Sequence, residues 1–121
     1  MLFDFDRFTI TAKLAYRRIG GSRFSLEDVL GIFRYYFETY ELVFGEAHPM
    51  ISLNQAASII EKMPYMLDES ELGGLSGDEL DPEQYPTLID QHFATNYKNC
   101  DFNINHFFSG FIRNYRFFET M

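Results

Sequence analysis

"SLEDVLGIFRYYFETYELVFG", residues 25–45, decides the fold. Ser25 opens an S-x-x-D pattern that ends at Asp28, close to a capping box, and Phe24 and Val29 are spaced as a hydrophobic staple. Leu26, Val29, Leu30, Phe33, Phe37, Tyr40 and Phe44 then recur on one helical stripe, and Gly45 supplies a left-handed stop. The spacing predicts a helix from Ser25 to about Phe44.

The same signals extend in both directions. Upstream, Asp6 is placed to cap a helix running to about Ile19. Phe8, Ala12, Ala15 and Ile19 lie on its apolar face, and Gly20-Gly21 ends it. A short strand through "FTIT" is the alternative reading. Downstream, Ser52 and Gln55 form an S-x-x-Q capping box for a helix with Leu53, Ala56, Ala57, Ile60 and Met63 on one face, which Pro64 terminates. Pro86 suits the first turn of a fourth helix aligned on Ile89, Phe93 and Tyr97, with Leu88 and His92 beside them. Ile104, Phe107, Phe108, Phe111, Tyr115 and Phe118 mark a fifth. Residues 64–84 carry three glycines, two prolines and seven acids without one base, and no apolar period. They read as a long acidic loop. The expected fold is all-α: one domain over residues 1–121, a compact bundle of about five helices with that loop between the third and fourth.

Composition agrees with a packed domain. The 121 residues are 46% hydrophobic and 18% aromatic, unlike disordered chains, and are enough to bury a core. No segment approaches the roughly 20 apolar residues that span a bilayer. The start, MLFDFDRF, has acids where a secretory signal has bases. The single cysteine, Cys100, has no internal partner and suits a reducing compartment, so a cytoplasmic location is expected.

The net charge of −8 is unevenly spread. Residues 1–34 set six bases against four acids, residues 35–97 one base against twelve acids, and residues 98–121 three bases against two acids. A field of this sign opposes general nucleic-acid binding, whose affinity comes from cations displacing counterions. It suits a basic protein partner.

Motifs for chemistry are sparse. "DESELGGLSGDE", residues 68–79, places an acid first, Gly73 sixth and Glu79 twelfth, the skeleton of a calcium loop with Asp68, Ser70, Ser76 and Glu79 as ligands. Leu72 sits where an oxygen ligand is required, and Pro64 and Pro82 interrupt the flanking helices, so a solvated acidic connection is the competing reading and no metal is expected. Cys100, His92 and His106 lie close in sequence, but without the spacing of a zinc finger or a carboxylate to orient either histidine. No glycine pair is followed by the residues of a phosphate-binding loop, and no cofactor is implied. "MISLNQAASIIEKM", residues 50–63, has the small-residue pair of a helix-turn-helix, yet acids follow where a basic recognition helix belongs.

Two features exceed what a helical core uses. Fourteen Phe and eight Tyr are many for one small domain, and "FRYYFETYELVF", residues 33–44, spreads rings over more than one helix face. Tyr35, Tyr36 and Tyr40 are therefore expected as exposed anchors of a protein interface. "FIRNYRFFE", residues 111–119, interleaves Arg113 and Arg116 with aromatic rings in a pattern able to stack on bases.

The stretches "CDFNINHFFSGFIRNYRFFE", residues 100–119, and "RRIGGSRFSLEDVL", residues 17–30, resemble short proteins carried by mobile elements and phages of Gram-positive bacteria. That resemblance implies binding to a partner, including inhibition of host or defence machinery.

Three functions follow as expectations. The first is a non-enzymatic protein-interaction module, able to pair with itself, that uses Tyr35, Tyr36 and Tyr40. The second is an inhibitor whose acids, among them Asp78, Glu79, Asp81 and Glu83, imitate nucleic-acid phosphates. The third is a replication or transfer accessory that touches DNA through Arg17, Arg18, Arg23, Arg113 and Arg116.

Overall fold

The computed structural model describes residues 1–68, 74–95 and 101–108, with residues 66–68 and 74–78 given by backbone course alone. The chain forms α1 (Phe5–Arg18), α2 (Leu26–Phe44), α3 (Leu53–Lys62), β1 (Tyr65–Asp68), β2 (Gly74–Glu79), a 3-10 turn (Pro82–Gln84), α4 (Tyr85–Ala94) and α5 (Ile104–Phe107). Among the described residues the helical class and its five helices stand. The expected continuation of the last helix through Phe111, Tyr115 and Phe118 lies outside the described residues.

Caps set the helix starts, as expected in two cases of three. The Ser25 hydroxyl accepts from the Asp28 N–H at 3.1 Å, and α2 ends on Gly45 in the left-handed region at φ 73°. Ser52 and Gln55 form a complete reciprocal box over α3. At α1 the cap is Asp4, whose carboxylate accepts from the Arg7 N–H at 3.1 Å, and not Asp6. Asp6 falls in the first turn, where its charge still favours the helix dipole. The "FTIT" residues lie inside α1.

Helix α1 packs on α3, and α2 on α4 and α1. Ala12 and Ala15 of α1 and Ala56 and Ala57 of α3 are all buried, and such small side chains let two helix backbones approach closely. The core between the layers is aromatic. Phe8 meets Phe33 and Phe37 edge-on at 4.8 and 5.3 Å, and Phe3 stacks on Phe37 at 4.1 Å. Each such ring contributes about 1.5–3 kcal/mol by leaving water. The Glu41 carboxylate fixes Phe3 by accepting from the Leu2 and Phe3 N–H groups at 2.7 and 2.8 Å.

The expected irregular acidic loop at 64–84 is corrected in one respect. It contains an antiparallel hairpin with Leu67 opposite Leu75 and Asp68 opposite Gly74, and an irregularity between Tyr65 and Leu67. Backbone pairing stabilises this segment without any helical apolar period, which is why a search for that period misses it. Arg23 closes the hairpin's base. Its guanidinium donates to the Pro64 carbonyl at 3.0 Å and to the Leu80 carbonyl, and lies 3.8 Å from the Glu79 carboxylate.

Candidate functional site

Tyr35 and Tyr36 are adjacent on α2 and face opposite environments. Tyr36 is fully buried, and its hydroxyl donates to the Phe102 carbonyl at 2.7 Å. Tyr40 is also buried, with its ring 4.7 Å from Phe44 and 4.8 Å from His48. Neither is the exposed anchor expected from sequence: the core has room for their rings, and a backbone carbonyl satisfies the Tyr36 hydroxyl. Tyr35 alone of the three reaches a surface depression.

That depression is a groove of about 430 Å³ between the first half of α2 and the turn entering α4. Ile32, Tyr35, Tyr85, Pro82 and Pro86 supply its apolar walls, and Glu27, Asp28 and Glu83 its charged rim. Ser25 caps α2 so that Glu27 and Asp28 occupy the first turn, and the Asp81–Gln84 capping box orients the opposite bank. The Tyr35 hydroxyl donates to the Asp90 carboxylate of α4 at 2.8 Å, which holds the ring in place and ties the two walls together. That bond, then partial burial and the Asp90 charge, pushes the Tyr35 phenol above its ordinary pKa. Tyr85 is anchored beneath by donation to the Met63 carbonyl at 2.7 Å.

Gly31 lies on the groove floor. A glycine inside a helix costs about 0.5–1 kcal/mol relative to alanine. Among the described residues, a methyl group built there meets nothing within 4 Å, so their packing does not require the glycine. Its effect is to keep the floor open. Among the described residues, no base lines the groove and no ion pair engages Glu27, Asp28 or Glu83. Chemically, the arrangement is suited to a cation on an apolar stem: the stem against rings and prolines, the charge among three carboxylates.

The remaining sequence candidates separate. Glu83 lies in this groove, with Asp81 exposed on the same turn. Glu79 is drawn to Arg23, and the side chain of Asp78 lies outside the described residues. Asp68, Ser76 and Glu79 belong to hairpin strands, so the helices flanking a calcium loop are replaced by extended chain; Ser70 lies outside the described residues. His92 and His106 do converge, with ring centroids 6.0 Å apart, while Cys100 lies outside the described residues. Among the described residues, no three His, Cys, Asp or Glu side chains are grouped to hold a metal ion, and no helix is long and apolar enough to cross a membrane. Arg23 is committed to the hairpin base, and Arg18 donates to the Asn54 side chain at 2.5 Å, linking α1 to α3. Arg17 is exposed in the last turn of α1, and Arg113 and Arg116 lie outside the described residues.

The sequence marks Asp28 only as part of the α2 cap and gives Glu27 and Gly31 no role in a site. Counting charge by region assigned the two acids to a mildly basic segment, although the fold sets them opposite Glu83. The signal for Gly31 was present as a lone glycine inside a strong helical stripe, a residue with either a packing or a functional reason. His48 was passed over as part of a connection and is buried.

No family model, curated protein or solved structure matches this chain.

Proposed function

We propose that this chain is a non-enzymatic interaction module that takes a basic, extended segment of a partner protein into the groove between α2 and α4. Gly31 carries the reading: a stabilising side chain is absent where, among the described residues, a methyl group meets nothing within 4 Å and the groove is left open. The rim of Glu27, Asp28 and Glu83 selects for lysine or arginine, and Tyr35, held by Asp90, offers the ring against which such a stem or guanidinium packs. Association steered by this charge is sensitive to salt. The likeness of residues 17–30 and 100–119 to mobile-element and phage proteins makes host or defence machinery the kind of partner this reading expects.

The experiment is affinity capture from a nuclease-treated Gram-positive lysate with the wild-type chain and with Gly31→Trp, which places a large side chain at the groove. A protein held by wild type and lost with Gly31→Trp, while the melting temperature is maintained, supports the reading. Capture that survives Gly31→Trp, or that yields only nuclease-sensitive material, overturns it. Self-association that Gly31→Trp abolishes would identify a second copy as the occupant in place of a basic partner.

A further inference from the structure

His48 lies in the connection between α2 and α3, 2% exposed, inside a cage of rings: Phe37 at 4.9 Å, Tyr40 at 4.8 Å, Tyr36 at 6.0 Å and Phe3 at 6.5 Å between centroids. Both ring nitrogens are engaged. Nε2 lies 3.0 Å from the Ile104 backbone nitrogen, which can only donate, so Nε2 is the unprotonated acceptor. Nδ1 lies 2.7 Å from the Pro49 carbonyl, which can only accept, so Nδ1 carries the proton. One neutral tautomer satisfies both contacts and the imidazolium cannot.

The contact joins residues 56 apart in sequence and holds the segment 101–108 on the helical layers. That segment seats Ile104, Phe107 and Phe108 in the core and covers Tyr36, His92 and Tyr85. The Tyr36 hydroxyl, donating to the Phe102 carbonyl at 2.7 Å, ties the same segment to α2. A proton arriving at Nε2 turns the acceptor into a donor that faces the Ile104 N–H, and places a charge among aromatic rings. Departure of the segment relieves both by bringing the imidazolium to water, against the burial of Ile104, Phe107 and Phe108.

We propose that His48 is a proton-operated latch for the carboxyl-terminal segment: neutral, it holds residues 101–108 closed, and protonated, it releases them and uncovers the aromatic surface of α2 and α4. This goes beyond the groove, on which it does not depend. Other charged and titratable groups around the latch are Asp101 of the segment itself, Glu46 of the connection, Tyr36, Tyr40 and Glu41 of α2, His92 of α4 and His106 of α5. Burial lowers the His48 pKa, opposed by the Pro49 carbonyl and the Asp101 charge. The sign follows. The closed state disfavours the proton, so closure is fully stabilised above the ordinary histidine value and is lost as pH falls below it toward the lowered one.

The test is hydrogen exchange on the whole wild-type chain from pH 7.5 to 5.0, corrected for intrinsic exchange, together with nitrogen spectra of the histidine rings. Expected are an Nδ1-protonated His48 at pH 7.5 and an open fraction of residues 101–108 that rises by up to tenfold per pH unit below the ordinary histidine value, with α1 and α3 unchanged. His48→Gln, which can still accept from Ile104 but does not titrate, should flatten that dependence, and His106→Gln should leave it. The latch is overturned by protection of 101–108 that stays constant with pH, by an imidazolium at His48 with Ile104 still protected, or by a dependence abolished by His106→Gln alone. Loss of protection in all helices together would also overturn it. If His48→Gln does not fold, the wild-type tautomer and the protection of Ile104 decide the question unaided.

Discussion

The two faces of α2 use the same residue types to opposite ends. On the inner face, Phe33, Tyr36, Phe37 and Tyr40 are buried, and the Tyr36 hydroxyl is consumed by a backbone carbonyl. On the outer face near the amino-terminal end, Gly31 and Tyr35 border a groove rimmed by carboxylates, and the tyrosine hydroxyl braces α4 from outside. Neighbouring tyrosines thus belong to the core and to the candidate site. What distinguishes them is the acceptor each hydroxyl finds, which depends on the turn of the helix and on elements more than fifty residues away.

Substitutions that separate the faces should differ in size and in sign. Phe37→Ala removes a ring packed on Phe3, Phe8 and His48 and should cost about 3–5 kcal/mol of unfolding free energy by denaturant titration, a large part of a small domain's stability. Tyr36→Phe keeps the packing and removes the hydroxyl bond to the Phe102 carbonyl, so a loss of about 0.5–1.5 kcal/mol is expected, with extra exchange confined to residues 101–108. On the outer face the sign reverses. Gly31→Ala should stabilise by about 0.5–1 kcal/mol, read as a higher denaturant midpoint at unchanged slope. Tyr35→Phe breaks a single half-exposed hydroxyl bond and should shift stability by less than about 1 kcal/mol while weakening partner capture. A Gly31→Ala that destabilises would show that the outer face is under packing constraint, and the contrast would collapse.

Much of the helical framework was legible in the sequence, because caps and stripes are local. Ser25, Ser52, Gly45 and Pro86 act where their neighbours in sequence lead one to expect, and Phe8, Ala12, Ala15, Phe33 and Phe37 fall in the core. The hairpin was not legible: its residues show no clean alternation, and its base is held by Arg23 from a distant turn. The site was legible only in fragments. Tyr35 and Glu83 were singled out, but so were Tyr36 and Tyr40, since composition reports a surplus of rings without saying which find room inside. Glu27, Asp28 and Gly31 join the groove only because α2 and the turn into α4 come together in space, and His48 matters only because Ile104 returns to it.

The most direct test of the central claim, that the outer face of α2 is a binding surface for a basic segment, is backbone amide NMR of the full chain titrated with a short peptide of alternating arginine and proline. Saturable shifts concentrated on Glu27, Asp28, Gly31, Tyr35 and Glu83, and absent in Gly31→Trp, are the predicted result. Shifts spread over every acidic stretch, or unchanged in Gly31→Trp, would mean that the peptide follows net charge alone and that the groove is not the site.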